Sequence, residues 1–477
     1  MPATDQTATQ TATRARSRRP SAAELAPRGR SQAAPADRDR FADLVRAASI
    51  VVVVAGHWLM AVPAWPPGGR LLGSNALAAS PTLPLLTWLL QVMPLFFFVG
   101  GYANAKALEG VRRRGEGTAA FLAARMRRLL GPTALFALVW VAVAVAGRLA
   151  GPYGDLLGAG ARMIAQPLWF LGVYLLVITA APLMLRAHVR FGVKVPVALG
   201  VAVVAVDALR LPPSELHGVP FGLGLAGLGM LNFPLVWLLV HQLGFFYADG
   251  SLTRLPRAAL AAMAGAGLAA MVLLTSSAPY PTSMVGLPGE SMSNMNPPSA
   301  CIVALTFWLV GLAMLARPRL QAWLARPRPW TAVVAANGSI MTVYLWHLTA
   351  MVAAILVLYP AGFPSPAPGS AAWWATRPLW LAACAGALAV LVRLLGRFER
   401  PPAARVEASS TRLGTAVAVA GCLALAVGMV GVAGAGLDLL GPSKVASVLG
   451  LAMDQRAAAA CCLAGALALT AVVRRRR

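Results

Sequence analysis

In the stretch RAASIVVVVAGH, Arg46 and His57 stand inside one apolar segment with ten residues between them. Eleven helical steps of about 100° return His57 to within roughly 20° of Arg46, some ~16 Å further along the axis. Asp43, three residues before Arg46, falls on the same face. An ionisable group in an apolar span costs at least ~2.5 kcal/mol to insert, so it faces a cavity or a partner. Asp43 and Arg46 alone are also explained as snorkelling residues at a membrane interface. His57, about two thirds of the way through a run of Val and Ala, is not. A carboxylate, a guanidinium and an imidazole in one line suit proton transfer beside a bound anion.

Further residue sets add to this line. Arg125, Arg127 and Arg128 open a later apolar span, and Lys106, Arg112, Arg113 and Arg114 precede them in the same connection. Guanidinium groups bind phosphate oxygens in bidentate fashion, which suits a phosphorylated donor; they also anchor helix ends at an interface. In SIMTVYLWHL, Asn337, Met341, Tyr344 and His347 follow i, i+4, i+7, i+10 and are expected to share a stripe. QPLWFL at 166–171 places Trp169 at the outer end of a span, where aromatic-belt residues lie. Glu290 and Asn294, in the polar outer segment 276–298, are candidate contacts of an acceptor pocket, against the simpler reading that they are merely solvated. His241 and Gln242 read as structural polar groups, and Asp207 is expected to pair with Arg210.

The elements that must position these residues are membrane helices. Of 477 residues 58% are hydrophobic and 12% charged, and apolar runs of bilayer-spanning length recur along nearly the whole chain. Spans are expected near 44–62, 83–105, 130–150, 165–184, 195–209, 223–247, 258–275, 299–316, 336–358, 376–395, 414–434 and 457–473. The fold class is an all-α polytopic membrane protein. The net charge of +25 raises the question of nucleic acid, and its distribution answers it. With the N-terminus inside, 34 of the 41 Lys and Arg fall on one side, and only Arg70, Arg148, Arg162, Arg210, Arg377, Lys444 and Arg456 on the other. That is the positive-inside pattern of a chain with both termini cytoplasmic, and no nucleic-acid partner is needed.

Cys301, Cys384, Cys422, Cys461 and Cys462 lie in or beside apolar spans without metal-ligand spacing, so neither a disulfide framework nor a metal site is expected. Residues 1–40 read as a disordered basic cytoplasmic tail, 41–400 as a ten-span body, and 401–477 as a polar linker, an extra transmembrane hairpin and a basic C-terminus. The small residues of 414–434 and 457–473 suit close helix packing, either sealing the bundle or joining two copies. The sequence does not indicate the oligomeric state.

In this order the segments RDRFADLVRAASIVVVVAGH (38–57), PLFFFVGGYANAKA (94–107), RMRRLLGP (125–132), PLWFLGVYLLVITAAPLM (167–184) and SIMTVYLWHLTAM (339–351) resemble the acyltransferase 3 family of multipass membrane O-acyltransferases. The resemblance covers about 38–400. It implies transfer of an acyl group, often acetyl, from cytoplasmic acyl-CoA to a hydroxyl acceptor (EC 2.3.1.-). The acceptor would be a glycan, a lipid-linked sugar or a glycosylated metabolite of the cell envelope, handled in a bacterial plasma membrane beside membrane lipid. No cofactor beyond the donor is implied. His57 and Arg46 match the family's essential His and Arg, and Arg125, Arg127 and Arg128 its basic donor-side residues. Asp43 joins the catalytic set from its position beside Arg46.

Departures are a Gly100–Gly101 pair where the family commonly has Ser before Gly, twelve expected spans rather than ten, and no fused outer esterase-like domain. The competing class is a transporter or flippase of an envelope precursor, since intramembrane Arg and His also serve proton-coupled carriers. A non-catalytic scaffold, its polar groups only tying helices together, is a further alternative.

Overall fold

The computed structural model describes residues 38–64, 72–151, 154–210, 226–287, 292–399, 406–408, 411–448 and 451–475. The helices run α1 Arg40–Met60, α2 Thr87–Leu90, α3 Met93–Arg113, α4 Thr118–Leu149, α5 Gly154–Ala165 and α6 Leu168–Phe191. They continue α7 Lys194–Arg210, α8 Asn232–Ala248, α9 Arg257–Ser277, α10 Ala300–Leu324 and α11 Pro327–Gly338. The last four are α12 Ile340–Leu358, α13 Ala371–Leu395, α14 Arg412–Ala435 and α15 Gln455–Val472. The chain is therefore an all-α polytopic membrane protein. Among the described residues each expected apolar segment overlaps a helix, and eleven helical stretches are long and apolar enough to cross a membrane. The remaining segment is α7, which has 17 residues.

Expectation and structure part at two places that matter for the site. The basic connection expected over 106–128 is almost entirely helical, because its Ala, Leu and Arg are good helix formers. Only residues 114–117 separate α3 from α4, so Arg125, Arg127 and Arg128 ride on the second and third turns of α4. The span expected over 336–358 is broken at Gly338–Ser339, where Ser339 leaves helical geometry at φ −124°, ψ 16°. Asn337 therefore ends α11 and does not continue the stripe of Met341, Tyr344 and His347 on α12. Glu399 closes the break by accepting from the Met341 and Thr342 amides at 2.9 and 3.0 Å and from Thr342 Oγ1 at 2.6 Å. A carboxylate there complements the positive end of the α12 dipole.

Small residues set how closely the helices meet. A Cβ on Gly101 would lie 2.1 Å from the His241 carbonyl oxygen, and one on Gly244 2.1 Å from that of Phe98, so α3 and α8 touch through backbone. The same device seats the C-terminal hairpin, because a Cβ on Gly172 of α6 would be 2.7 Å from the Ala426 carbonyl oxygen of α14. Arg148, at the end of α4, clasps Asp438 just after α14, with Nη2 at 2.7 Å and Nε at 3.1 Å from Oδ2. The hairpin thus packs into the bundle. Aromatic residues fill the centre, with Phe97 stacked on Trp237 at 4.4 Å and edge-on to Phe170 at 5.4 Å.

The face opposite the basic loops carries a cap. Strands β1 (Ala61–Ala64) and β2 (Leu72–Asn75) pair antiparallel with Ala61 opposite Asn75. The described part of 276–298 is irregular, as its Pro, Gly and Ser dictate, yet it is tied down. The Trp88 indole donates to the Thr282 carbonyl at 2.8 Å, and Met284 N donates to Thr87 Oγ1 at 2.8 Å. Buried Asp207 pairs with Arg210 at 2.9 Å, as expected, and also accepts from Asn232, Tyr280 and the Ala300 amide.

Candidate active site

His57 sits one turn before the end of α1 and faces α12. Its Nδ1 lies 3.1 Å from Nε2 of His347, with ring centroids 5.0 Å apart. His347 has no exposed surface, whereas His57 keeps some. The proton positions follow from the partners. His347 Nδ1 is 2.5 Å from the Tyr344 carbonyl, which only accepts, so Nδ1 carries the proton and Nε2 a lone pair. That lone pair accepts from His57 Nδ1–H, and the Val53 carbonyl offers the same imidazole a second acceptor. Nε2 of His57 is left with its lone pair.

Indoles hold the pair in place. Trp58 Nε1 donates to the His347 carbonyl at 2.9 Å, and Trp380 Nε1 donates to the Trp58 carbonyl at 2.7 Å. The Tyr344 hydroxyl donates to the Pro167 carbonyl at 2.7 Å and its ring meets Phe170 edge-on at 5.2 Å. The PLWFL segment is therefore coupled to α12, although Trp169 itself packs on Phe170 and Phe233.

Near the start of α1 the partners are charged. Arg46 Nη2 is ion-paired with Asp43, and Arg46 Nε donates to Asn337 Oδ1 at 2.9 Å. Asn337 Nδ2 in turn donates to the Asp43 and Val333 carbonyls, each at 2.9 Å. Asp43 is 3% exposed, while about a third of the Arg46 side chain stays accessible. Arg125 donates from Nη2 to the Ala103 carbonyl at 2.6 Å, lies over the Phe121 ring, and is within electrostatic range of Arg46 and Arg128. Arg128 is exposed and Arg127 half-buried. Beneath them Asn104 Nδ2 meets His241 Nε2 at 3.0 Å. Asn104 Oδ1, His241 Nδ1 and Arg125 Nε are buried without a hydrogen-bond partner.

Three of the other four loop cations are matched locally. Glu109 pairs with Lys106 at 3.4 Å and with Arg113 at 3.0 Å, and Glu116 holds Arg114 at 2.9 Å. The Glu116 carboxylate raises the Arg114 pKa from an already high value. The free cationic surface is thus narrower than seven residues suggest.

The structure brings together Asp43 with Arg46, His57 with His347 and Tyr344, and Arg125 with Arg46 and Arg128. It does not bring Asn294 to this group. Its Nδ2 donates to the Pro281 and Ser283 carbonyls and its Oδ1 accepts from Ser299, so Asn294 fastens the cap with no exposed surface for a ligand. Glu290 lies outside the described residues. Sequence reasoning missed Asn104, Trp58, Trp380, Glu399 and the true place of Asn337. The signals were a lone Asn within an apolar helix for Asn104 and the Gly338–Ser339 pair for the break. Gly100 faces Tyr174, with a Cβ placed there 3.3 Å from the ring, so a side chain at this position would press on the aromatic cluster.

Among the described residues there is no group of three or more His, Cys, Asp or Glu arranged to hold a metal ion. Compared with models of known families, residues 39–395 match an acyltransferase domain, Acyl_transf_3. No curated protein matches the chain, and no solved structure does.

Proposed function

The chain belongs to the acyltransferase 3 family and is a membrane acyltransferase; from that premise we propose that it moves an acyl group, acetyl in the first instance, from cytoplasmic acyl-CoA to a hydroxyl. The acceptor is a glycan, a lipid-linked sugar or a glycosylated metabolite, and the setting is a bacterial plasma membrane. The observation that carries the reading is the imidazole pair, in which half-buried His57 keeps the Nε2 lone pair beside a fully buried partner.

In this account His57 Nε2 takes the proton of the acceptor hydroxyl as its oxygen attacks the thioester carbonyl carbon. The tetrahedral adduct collapses by breaking the carbon–sulfur bond. The departing thiolate recovers the proton from His57, giving an ester and free CoA thiol. His347 is a positioning residue, since it accepts from His57 Nδ1–H and stabilises the imidazolium that forms. Arg46, held by Asp43 and Asn337, and the accessible Arg128 with Arg127 and Arg125 bind the donor's phosphates at the cytoplasmic end. The roughly 16 Å between Arg46 and His57 along α1 suits a donor whose anionic head and reactive thioester are joined by a long flexible arm. A carrier function would rest on the same intramembrane charges, which acyl transfer already employs.

The test incubates purified protein in nanodiscs with radiolabelled acetyl-CoA and an envelope extract. Label should pass to an alkali-labile ester with the parent protein and not with His57→Ala. Equal labelling by both would remove His57 from the chemistry.

A further inference from the structure

On the face opposite the basic loops, Arg377 lies six residues into α13 and is 4% exposed. Its guanidinium carbon is 4.7 Å from the centre of the Trp373 ring and 5.9 Å from that of Trp380. Nε and Nη2 donate to Thr376 Oγ1 at 3.3 and 3.0 Å, and the Tyr359 hydroxyl is hydrogen-bonded to the same group. None of these partners is a carboxylate. The described acids of this face that form contacts are engaged elsewhere: Asp207 with Arg210, Asp438 with Arg148, and Asp454 with the first turn of α15.

A guanidinium taken out of water without a counter-ion is a costly arrangement unless something negative completes it. Its planar fork matches carboxylate and phosphate, and aromatic faces on two sides fix the fork in one orientation. The location is equally specific. Trp380, one turn along from Arg377, donates to the carbonyl of Trp58, the residue after His57, and Trp58 in turn donates to the carbonyl of His347. Arg377, which has no carboxylate partner among the described residues, is therefore linked through two indoles to both members of the imidazole pair.

We infer that Arg377 binds a negatively charged group, carboxylate or phosphate, carried by the hydroxyl acceptor, and so makes this an acyltransferase for anionic saccharides. The inference rests on the acyl-transfer reading and narrows its acceptor class. Arg377 holds the anion from the outer face while the neighbouring hydroxyl reaches His57. Trp373 and Trp380 keep the guanidinium aimed.

The experiment measures binding of methyl β-D-glucuronide, glucose 1-phosphate and neutral methyl β-D-glucoside to the full chain in nanodiscs by saturation-transfer NMR. Donor binding is followed separately with acetyl-CoA. The parent should prefer at least one charged probe over the glucoside by about tenfold, the worth of one charge-assisted contact. The preference should vanish in Arg377→Gln and persist, weakened, in Arg377→Lys. Stronger binding of the glucuronide assigns a carboxylate, and stronger binding of the phosphate assigns a phosphorylated acceptor. Thermal stability supplies a second reading that a merely structural arginine would move the other way. Removing an unpaired buried cation should leave the melting temperature of Arg377→Gln unchanged or raised, whereas a structural role predicts a fall. Equal binding of charged and neutral probes to the parent, no binding of any probe, or a preference that survives Arg377→Gln overturns the proposal. Loss of donor binding in the parent, with the anion preference intact, would instead sink the acyl-transfer reading and leave the anion site standing.

Discussion

The two ends of α1 are made of opposite chemistry. At the basic end Arg46 is locked by a carboxylate and an amide, with Arg125 within electrostatic range. At the far end the partners of His57 among the described residues are the His347 imidazole and the Val53 carbonyl, both uncharged. A guanidinium is always protonated and so cannot serve as a base, but it holds anions well. A neutral imidazole whose other nitrogen is fixed by a hydrogen bond is suited to taking a proton. In the proposed mechanism one helix separates binding from chemistry, and its length sets the distance between them.

The sharpest break of this comparison comes from His57→Ala. Acyl transfer should fall by about 10³-fold, the usual worth of a general base, with donor affinity retained. A parallel fall in donor affinity, measured by equilibrium binding of acetyl-CoA, would erase the division of labour. His347→Ala should lower turnover by roughly 10²-fold without touching donor affinity, because it removes the imidazole that orients His57 and leaves Nδ1–H only the Val53 carbonyl of its own helix. His347→Gln, whose side-chain oxygen can accept, should recover part of that loss. A turnover rate unchanged in both variants would reduce the pair to packing.

At the other end Arg46→Gln should weaken donor affinity by about 10- to 100-fold, the range of a charged hydrogen bond, while bound donor still reacts. The hairpin offers a smaller effect. Arg148→Ala breaks the clasp on Asp438 and should destabilise the protein by roughly 1–3 kcal/mol, read as a lower melting temperature with normal transfer per folded molecule. Least of all, Glu109→Ala removes exposed partners of Lys106 and Arg113 and should change stability by under about 0.5 kcal/mol. A large effect there would mean that the turn between α3 and α4 has a role beyond linking them.

Much of this was legible in the sequence. Apolar length marks the spans because a bilayer admits few other structures, and an eleven-residue step on a straight helix fixes the Arg46–His57 geometry. Local spacing also put Asp43 on the face of Arg46 and pointed to the Asp207–Arg210 pair. The meeting of His57 with His347 was out of reach, since 290 residues separate them and no local rule pairs α1 with α12. The break before α12 was hidden by the apolar residues on either side of Gly338–Ser339, which read as one span. Asn294 misled because a polar loop residue looks solvated until its partners on the same loop are seen.

The most direct test of the central claim measures acetyl-CoA affinity and single-turnover acyl transfer side by side in His57→Ala and Arg46→Gln, in nanodiscs. The account predicts that His57→Ala binds the donor like the parent but does not transfer, and that Arg46→Gln binds weakly yet transfers at saturating donor. Loss of donor binding in His57→Ala, or normal donor binding with no transfer in Arg46→Gln, would contradict it.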